Sequence, residues 1–184
     1  MNKLKRLILI IKEISRIQNP GKKTLQKLVY LLERKGIKLG FAFSIHYYGP
    51  YSSELDYAIH RLEMQGALKI NPEGQTHQIL LTENDDLIWE EEEETLSEQE
   101  LPIIKDIITK FATKQTYDLE VITTTDYVAQ QLKANGEPWD QDSLVEGVRK
   151  IKGDRFTREK IEEAIAILKE EGYLEQMVNG GKLF

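Results

Sequence analysis

The sequence predicts a mainly α-helical protein with a small β-wing: a winged-helix-like N-terminal domain followed by an all-helical C-terminal part. Apolar residues recur every three or four positions through most of the chain, which is the spacing of amphipathic helices. Only short segments near residues 41–46, 67–70 and 78–82 have the alternating or continuous apolar pattern of strands. The 184 residues are enough to bury a substantial core, in one domain or in two small ones.

Two helices are predicted at the N-terminus. The first has an apolar stripe and ends at Asn19-Pro20-Gly21; the stripe is formed by Leu4, Leu7, Ile8, Ile11, Ile14 and Ile17. The second extends from about Lys22 to Arg34 and is closed by Lys35-Gly36.

A short strand, a turn, a third helix and a hairpin are predicted next. Residues 41–46 alternate between apolar and polar, and Gly49-Pro50 turns the chain. Ser52 or Ser53 can cap a helix over 52–65, because a serine hydroxyl accepts a hydrogen bond from a free amide of the first turn. Gly66 ends this helix, and the loop 71–77 then joins two apolar segments in the manner of a wing.

An acidic segment separates the two predicted parts of the chain. Five consecutive glutamates, Glu90 to Glu94, repel one another and favour a solvated linker or a helix start, with an acidic contact strip for a basic partner as the alternative. The predicted organisation is therefore a winged-helix-like domain at 1–85, an acidic linker or helix start at 86–100, and a helical domain at 101–184.

Four helices are predicted in the C-terminal part. Asp142 or Ser143 would cap the third of them, with Ile151 among its core residues, and Thr157 would cap the fourth. The segments 58–68 and 164–174 share the pattern Ala-Ile-x-x-Leu-x-x-x-Gly-x-Leu. This repeated pattern fits either a second winged-helix-like unit or two unrelated helices that pack against a core in the same way.

Motifs for catalysis and for membrane insertion are absent from the sequence. There is no cysteine, no glycine-rich phosphate loop and no nucleophile elbow, and the three histidines lack a metal-ligand spacing. Asp126, beside three threonines, fits a structural hydroxyl network better than a catalytic role. The apolar run Leu7–Ile11 is too short for a signal peptide or a membrane span. We therefore expect a cytoplasmic protein that is not an enzyme and needs no cofactor, metal or membrane.

The charge distribution favours a nucleic-acid partner for the first part only. Residues 1–70 carry a net charge of +8, and residues 71–184 carry −14. The order helix, helix, strand, helix, wing places helix 52–65 as a recognition helix, although Glu54, Asp56 and Glu63 on it would face phosphates or bases. The candidate DNA contacts are Lys22, Lys23, Lys27, Ser53, Tyr57, His60 and Arg61.

The aromatic Gly-Pro turn is the second candidate site. Tyr47, Tyr48 and Tyr51 lie within five positions around Gly49-Pro50. Such tyrosines can pack between helices and stiffen the turn, or they can anchor a protein partner, since tyrosine is enriched at interface hot spots. Tyr57 completes this alternative set.

The residues from 20 to 70 carry a resemblance to a known family. Lys27-Leu28-x-Tyr30-Leu31, the turn Tyr48–Ser52 and the helix that ends at Gly66 resemble the Panacea domain family, SocA-like and antitoxin-associated, and its prokaryotic relatives of unknown function. The resemblance implies a mostly helical, non-enzymatic domain that neutralises a toxin by direct contact, sometimes beside DNA-binding segments. The chain departs from the family in its long second half and in Ile45–Tyr48, where the family carries a tryptophan.

Taken together, the sequence predicts a non-enzymatic regulatory protein. The favoured hypothesis is a winged-helix DNA-binding transcriptional regulator, and the alternative is a protein-binding module of antitoxin type. The expected partners are DNA or a toxin-like or regulatory protein, and a homodimer is compatible with either hypothesis.

Overall fold

A computed structural model describes residues 3–73, 76–84, 96–137 and 139–174. Within them the protein is mainly helical with two small antiparallel sheets, which confirms the predicted fold class. The helices are α1 Lys3–Ser15, α2 Lys22–Arg34, α3 Ser53–Met64, α4 Glu100–Phe111, α5 Thr116–Ala134, α6 Gln141–Lys152 and α7 Arg158–Glu170. The strands are β1 Ser44–His46, β2 Gly49–Tyr51, β3 Leu68–Glu73 and β4 Thr76–Leu81. The glutamate run at 90–94 and the wing tip at 74–75 lie outside the described residues.

The chain divides into two compact units, Met1–Leu119 and Glu120–Phe184, and the division falls within α5. The sequence placed a boundary in 86–100, most of which lies outside the described residues. Helix α4, which the sequence assigned to the C-terminal part, packs against α1 and α2 in the first unit. A salt bridge supports this packing, because Nη2 of Arg6 in α1 lies 2.6 Å from Oε1 of Glu100 at the start of α4.

Helices α1 and α2 form the centre of the first unit. Helix α1 buries most of its predicted stripe, but it ends at Ser15, and Ile17 beyond it is 45% exposed, so its assignment to the core was wrong. Helix α2 is buried continuously from Thr24 to Leu32, because α4, β2 and β4 pack around it. This deep burial explains why residues of α2 can hold the neighbouring segments in place.

The predicted wing is present as the hairpin β3–β4. Leu68 pairs with Leu81, and the register continues to Glu73 opposite Thr76. The linker between α1 and α2 lies beside β4, since the amide of Ile79 donates to the carbonyl of Pro20 at 2.9 Å. Gly66, at φ +76°, ends α3 and turns the chain into the hairpin. A second hairpin, β1–β2, occupies part of the long connection between α2 and α3, with Ser44 opposite Tyr51.

The second unit contains most of α5 together with α6 and α7. The N-cap of α6 is Asp140 rather than the predicted Asp142 or Ser143, and Ser143 is its partner in a capping box. Thr157 caps α7 as predicted, because its hydroxyl accepts from the amide of Lys160. Ile151, predicted to lie in the core, is 43% exposed near the end of α6.

Buried polar groups are concentrated on α5. Both Lys152 and Arg155 pair with the buried carboxylate of Glu120, at 3.1 and 2.8 Å. Burial lowers the pKa of Lys152, although its hydrogen bond to Glu120 acts in the opposite direction. Thr125 donates its hydroxyl to the carbonyl of Val121 at 2.8 Å, and Asp126 beside it is fully buried. These contacts are those of a packed helix.

The repeated sequence pattern corresponds to two helices that end in the same way. Gly66 after α3 and Gly172 after α7 both adopt positive φ, at +76° and +67°. A strand follows Gly66, whereas Tyr173 and Leu174 after Gly172 are buried without forming one. The described residues therefore repeat the helix and its glycine stop.

Candidate binding surface around helix α3

Helix α3 is fixed at its start and along one face. The hydroxyl of Ser52, the N-cap, accepts from the amide of Leu55 at 3.2 Å, so the first of the two predicted serines is the cap. Four apolar side chains attach the helix to the core, namely Leu55, Ala58, Ile59 and Leu62. The opposite face of α3 remains exposed along the whole helix.

The turn before α3 is held by two side chains of α2. The amide group of Gln26 donates to the carbonyl of Ser52 and accepts from the Ser52 N–H, both at 2.9 Å. The ammonium of Lys27 donates to the carbonyl of Pro50 at 2.8 Å. All three contacts are buried, and Lys27 is only 2% exposed. Lys27, a predicted phosphate contact, therefore serves instead to fix the Gly-Pro turn.

Asp56 is the centre of a polar network beside this turn. Its carboxylate lies 2.6 Å from the ammonium of Lys22 and accepts a hydrogen bond from the hydroxyl of Tyr51. His60 lies one helical turn further along, with Nε2 3.2 Å from the same ammonium. Burial, and then the charge of Asp56 and the hydrogen bond to it, raise the pKa of Tyr51. Lys22 is thus joined to α3 by a carboxylate and an imidazole.

The acidic residues of α3 are all engaged within the protein. Glu54 pairs with Lys3 at 3.1 Å, and Asp56 pairs with Lys22. Glu63 accepts from the amide of Ile70 at 3.0 Å. The sequence identified these carboxylates as an obstacle to phosphate binding, and the structure places each of them beside an internal donor.

A stripe of exposed side chains remains on the outer face of α3. Tyr57, Arg61 and Met64 lie at positions i, i+4 and i+7, so they share one face of the helix, which we call the α3 stripe. Tyr57 is 67% exposed and Met64 is 87% exposed. Met64 was not among the predicted site residues, although its helical spacing from Tyr57 and Arg61 is visible in the sequence.

A second exposed feature is the turn between β1 and β2, which we call the tyrosine turn and which consists of Tyr47 and Tyr48. Their rings meet edge to face with centroids 4.8 Å apart, and Tyr47 is 71% exposed. The ammonium of Lys23 lies 3.6 Å from the centroid of the Tyr48 ring, which is a cation–π contact. Tyr51, the third predicted tyrosine, is half-buried and faces Asp56.

The predicted site residues therefore fall into three groups. Ser53, Tyr57, His60 and Arg61 lie on the exposed side of α3, as a recognition helix requires. Lys22 and Lys23 lie at the start of α2 and contact Asp56 and Tyr48, respectively. Lys27 is buried under the turn. The predicted DNA set and the predicted protein-binding set thus meet around α3 and the tyrosine turn.

Within the described ranges, no three or more His, Cys, Asp or Glu side chains are grouped as metal ligands, and no helix is long and apolar enough to cross a membrane. A comparison with models of known protein families found no match, and a comparison with curated proteins found none either. The resemblance to the Panacea domain therefore rests on the sequence motifs alone.

Proposed function

We propose that the first unit is a protein-binding module that docks a partner on the α3 stripe and the tyrosine turn. The observation that carries the proposal is the composition of the α3 stripe, where Tyr57 and Met64 are largely exposed on either side of Arg61. Tyrosine, methionine and arginine are enriched at protein–protein interfaces, and tyrosine and arginine dominate binding hot spots. Tyr47 and Tyr48 supply the same chemistry beside the start of α2.

The environments of two lysines of α2 favour protein docking over DNA binding as the main activity of the first unit. Lys22 is paired with the carboxylate of Asp56, and Lys27 is buried with its ammonium bonded to the carbonyl of Pro50. A DNA-binding protein gains affinity when its lysines and arginines neutralise phosphates and release the counterions condensed on the DNA, so lysines already engaged within the protein contribute less. The partner we propose presents apolar side chains to the stripe and carboxylates to Arg61, which complements the basic charge of residues 1–70.

The resemblance to the Panacea domain narrows the class of partner. That family neutralises toxins by direct contact, and the matching residues include the segment Tyr48–Ser52, which begins in the tyrosine turn, and the helix that ends at Gly66. We therefore propose a toxin-like or regulatory protein as the partner, and the chain would act by occupying a surface of that protein.

The test compares the wild-type chain with a Tyr57→Ala/Met64→Ala double variant. The wild-type chain is first used to capture its partner from a lysate of the native host, and mass spectrometry identifies the captured protein. Calorimetry with the purified partner then gives the Kd of the complex. We expect the double variant to bind with a Kd at least tenfold higher, because truncating two interface anchors reduces the binding free energy by more than about 1.4 kcal/mol. Tyr48→Ala should weaken binding in the same direction.

The matched control is Ile17→Ala/Ile103→Ala, which truncates two half-exposed apolar side chains outside the stripe. This control should bind as the wild type does, and all variants should have the same thermal unfolding midpoint. Equal Kd values for the wild type and the Tyr57/Met64 variant would contradict the proposal. The proposal would also be contradicted if calorimetry detected no binding between the wild-type chain and any captured protein.

DNA binding is the second candidate function, favoured by the internal pairing of Glu54, Asp56 and Glu63. With these carboxylates engaged, Ser53, His60 and Arg61 are the polar groups that α3 presents, and the hairpin β3–β4 follows as a wing would. The experiment is fluorescence anisotropy of a labelled random duplex at two salt concentrations. Salt-sensitive binding that Arg61→Gln weakens and Lys38→Gln does not would favour this candidate; absence of binding would retire it.

A further inference from the structure

The first unit contains a cavity of about 350 Å³ beside the tyrosine turn. Its walls come from the start of α2, the β1–β2 hairpin, the first turn of α3 and the strand β4, which carry Lys23, Tyr48, Asp56 and His77, respectively. This volume lies in the range of small-molecule sites, about 300–1,000 Å³. A lone inorganic ion would leave most of such a cavity unfilled.

Positive charge predominates on the cavity wall. Among the lining residues that the structure describes, Lys22, Lys23 and Lys27 contribute three ammonium groups, and Asp56 is the only carboxylate. Because Asp56 pairs with Lys22 and Lys27 is bonded to Pro50, the ammonium of Lys23 is the cation best placed to meet an anion from outside. The excess of positive charge selects an anionic ligand.

All three histidines of the chain lie at or beside the same cavity. His46 from β1 and His77 from β4 line it, and His60 of α3 touches Lys22, which also lines it. Imidazole nitrogens donate hydrogen bonds to phosphate oxygens. The three histidines come from three separate elements, so their spacing along the chain does not associate them.

Aromatic rings form the remaining wall. Tyr47, Tyr48 and Tyr51 line the cavity, and Tyr51 packs against His46 with ring centroids 4.9 Å apart. Tyrosine faces stack on planar heterocycles, as aromatic side chains stack on bases in nucleic-acid complexes. A ligand that uses both walls therefore carries a planar ring as well as an anionic group.

We propose that this cavity binds a small organic phosphate with a planar aromatic ring, of the size of a nucleoside monophosphate. The phosphate meets Lys23 and the neighbouring imidazoles, and the ring lies against the tyrosines. This inference goes beyond the proposed function, because it concerns a small ligand and requires no protein partner. Since Tyr48 belongs both to the cavity and to the tyrosine turn, an occupied cavity also alters the surface that a partner meets.

The experiment titrates the purified full chain, without any protein partner, with adenosine monophosphate, adenosine and inorganic phosphate. Calorimetry gives the affinities, and NMR follows the aromatic resonances of Tyr48 and His77. We expect saturable binding of adenosine monophosphate with a Kd below about 1 mM. Adenosine and phosphate should each bind at least tenfold more weakly, because each satisfies only one wall of the cavity.

Two variants separate specific binding from general attraction to a basic surface. Lys23→Gln should weaken the affinity for adenosine monophosphate about tenfold, whereas Lys38→Gln, the same charge change at an exposed position outside the cavity, should leave it unchanged. Tyr48→Leu should lower the preference for adenosine monophosphate over phosphate. The proposal is overturned by any of three results: no saturable binding up to about 10 mM, phosphate binding as tight as the nucleotide, or equal effects of the two lysine variants. Because these titrations contain no partner, their failure would leave the protein-docking proposal standing.

Discussion

Gly147 is a position at which one added methyl group should disturb the packing of two helices. An ideal Cβ at this position would lie 2.6 Å from Cγ1 of Val128, across the contact between α6 and α5. Val128 is buried and β-branched, so its side chain has few alternative rotamers. Glycine at this position therefore permits the close approach of two helices of the second unit.

We expect Gly147→Ala to destabilise the protein by about 1–3 kcal/mol, the usual cost of overpacking a core. Alanine ordinarily stabilises a helix interior by about 1 kcal/mol relative to glycine, so the sign of the effect is itself the test. Urea unfolding followed by circular dichroism measures the change. In the Val128→Ala background the cost of Gly147→Ala should disappear, because the clashing methyl group is gone; a stabilised single variant would refute the packing account.

At the scale of the element, the β1–β2 hairpin depends on α2. Gln26 satisfies both the N–H and the carbonyl of Ser52, and Lys27 satisfies the carbonyl of Pro50. A two-stranded hairpin is only marginally stable by itself, so these bonds determine where the tyrosine turn lies. The same bonds fix Ser52 as the N-cap, and they therefore also position the start of α3.

The variant Gln26→Leu should lower the free energy of unfolding by about 1–3 kcal/mol, because the buried N–H of Ser52 loses its acceptor and the Ser52 carbonyl keeps only the helical bond from the amide of Asp56. The chemical shifts of Tyr47 and Tyr48 should change at the same time, since the turn loses its attachment to α2. Gln115→Leu, at an exposed position, is the matched control and should have little effect. A Gln26 variant with wild-type stability and unchanged tyrosine shifts would show that the hairpin holds its position without α2.

At the scale of the whole molecule, apolar periodicity and stop residues predicted most of the fold. The spacing of leucines and isoleucines located the helices, and Gly66 marked the end of α3, because these features act within a few residues of the chain. The roles of side chains that reach other elements could not be predicted in this way. Lys23 and Lys27 look alike in the sequence, yet one lies over Tyr48 and the other is buried beneath Pro50.

Only the part of the candidate site that depends on local sequence signals could be predicted. The tyrosines and the polar residues of α3 were found because they are adjacent in the sequence or one helical turn apart. The cavity was not predicted, because His46 and His77 line it, and His60 lies beside it, only when a hairpin, a wing strand and a helix come together. The pairing of Glu54 with Lys3 likewise spans residues far apart in the chain.

The stability of the molecule in acid should depend on the contact between α1 and α4. Hydrogen bonds from Arg6 lower the pKa of Glu100 below its ordinary value of 4.5, and the Ser97 N–H acts in the same direction. The Glu100 side chain is 23% exposed, and its bond to Arg6, which lies 94 residues away in the chain, forms only in the folded protein. The unfolded chain therefore binds a proton at Glu100 more readily than the folded chain, and folding stability falls as the pH decreases below about 4.5.

At pH 7 we expect Glu100→Gln to lower the free energy of unfolding by about 1.5–3 kcal/mol, the range for hydrogen bonds to charged groups. As the pH falls through the lowered pKa of Glu100, the wild type should lose this advantage, and the two unfolding curves should converge. Urea titrations at pH 7, 5, 4 and 3 measure the difference, with Glu98→Gln, a neighbouring exposed carboxylate, as the control. A difference between wild type and Glu100→Gln that stays constant across this range would mean that the charge of Glu100 does not hold α4 on α1.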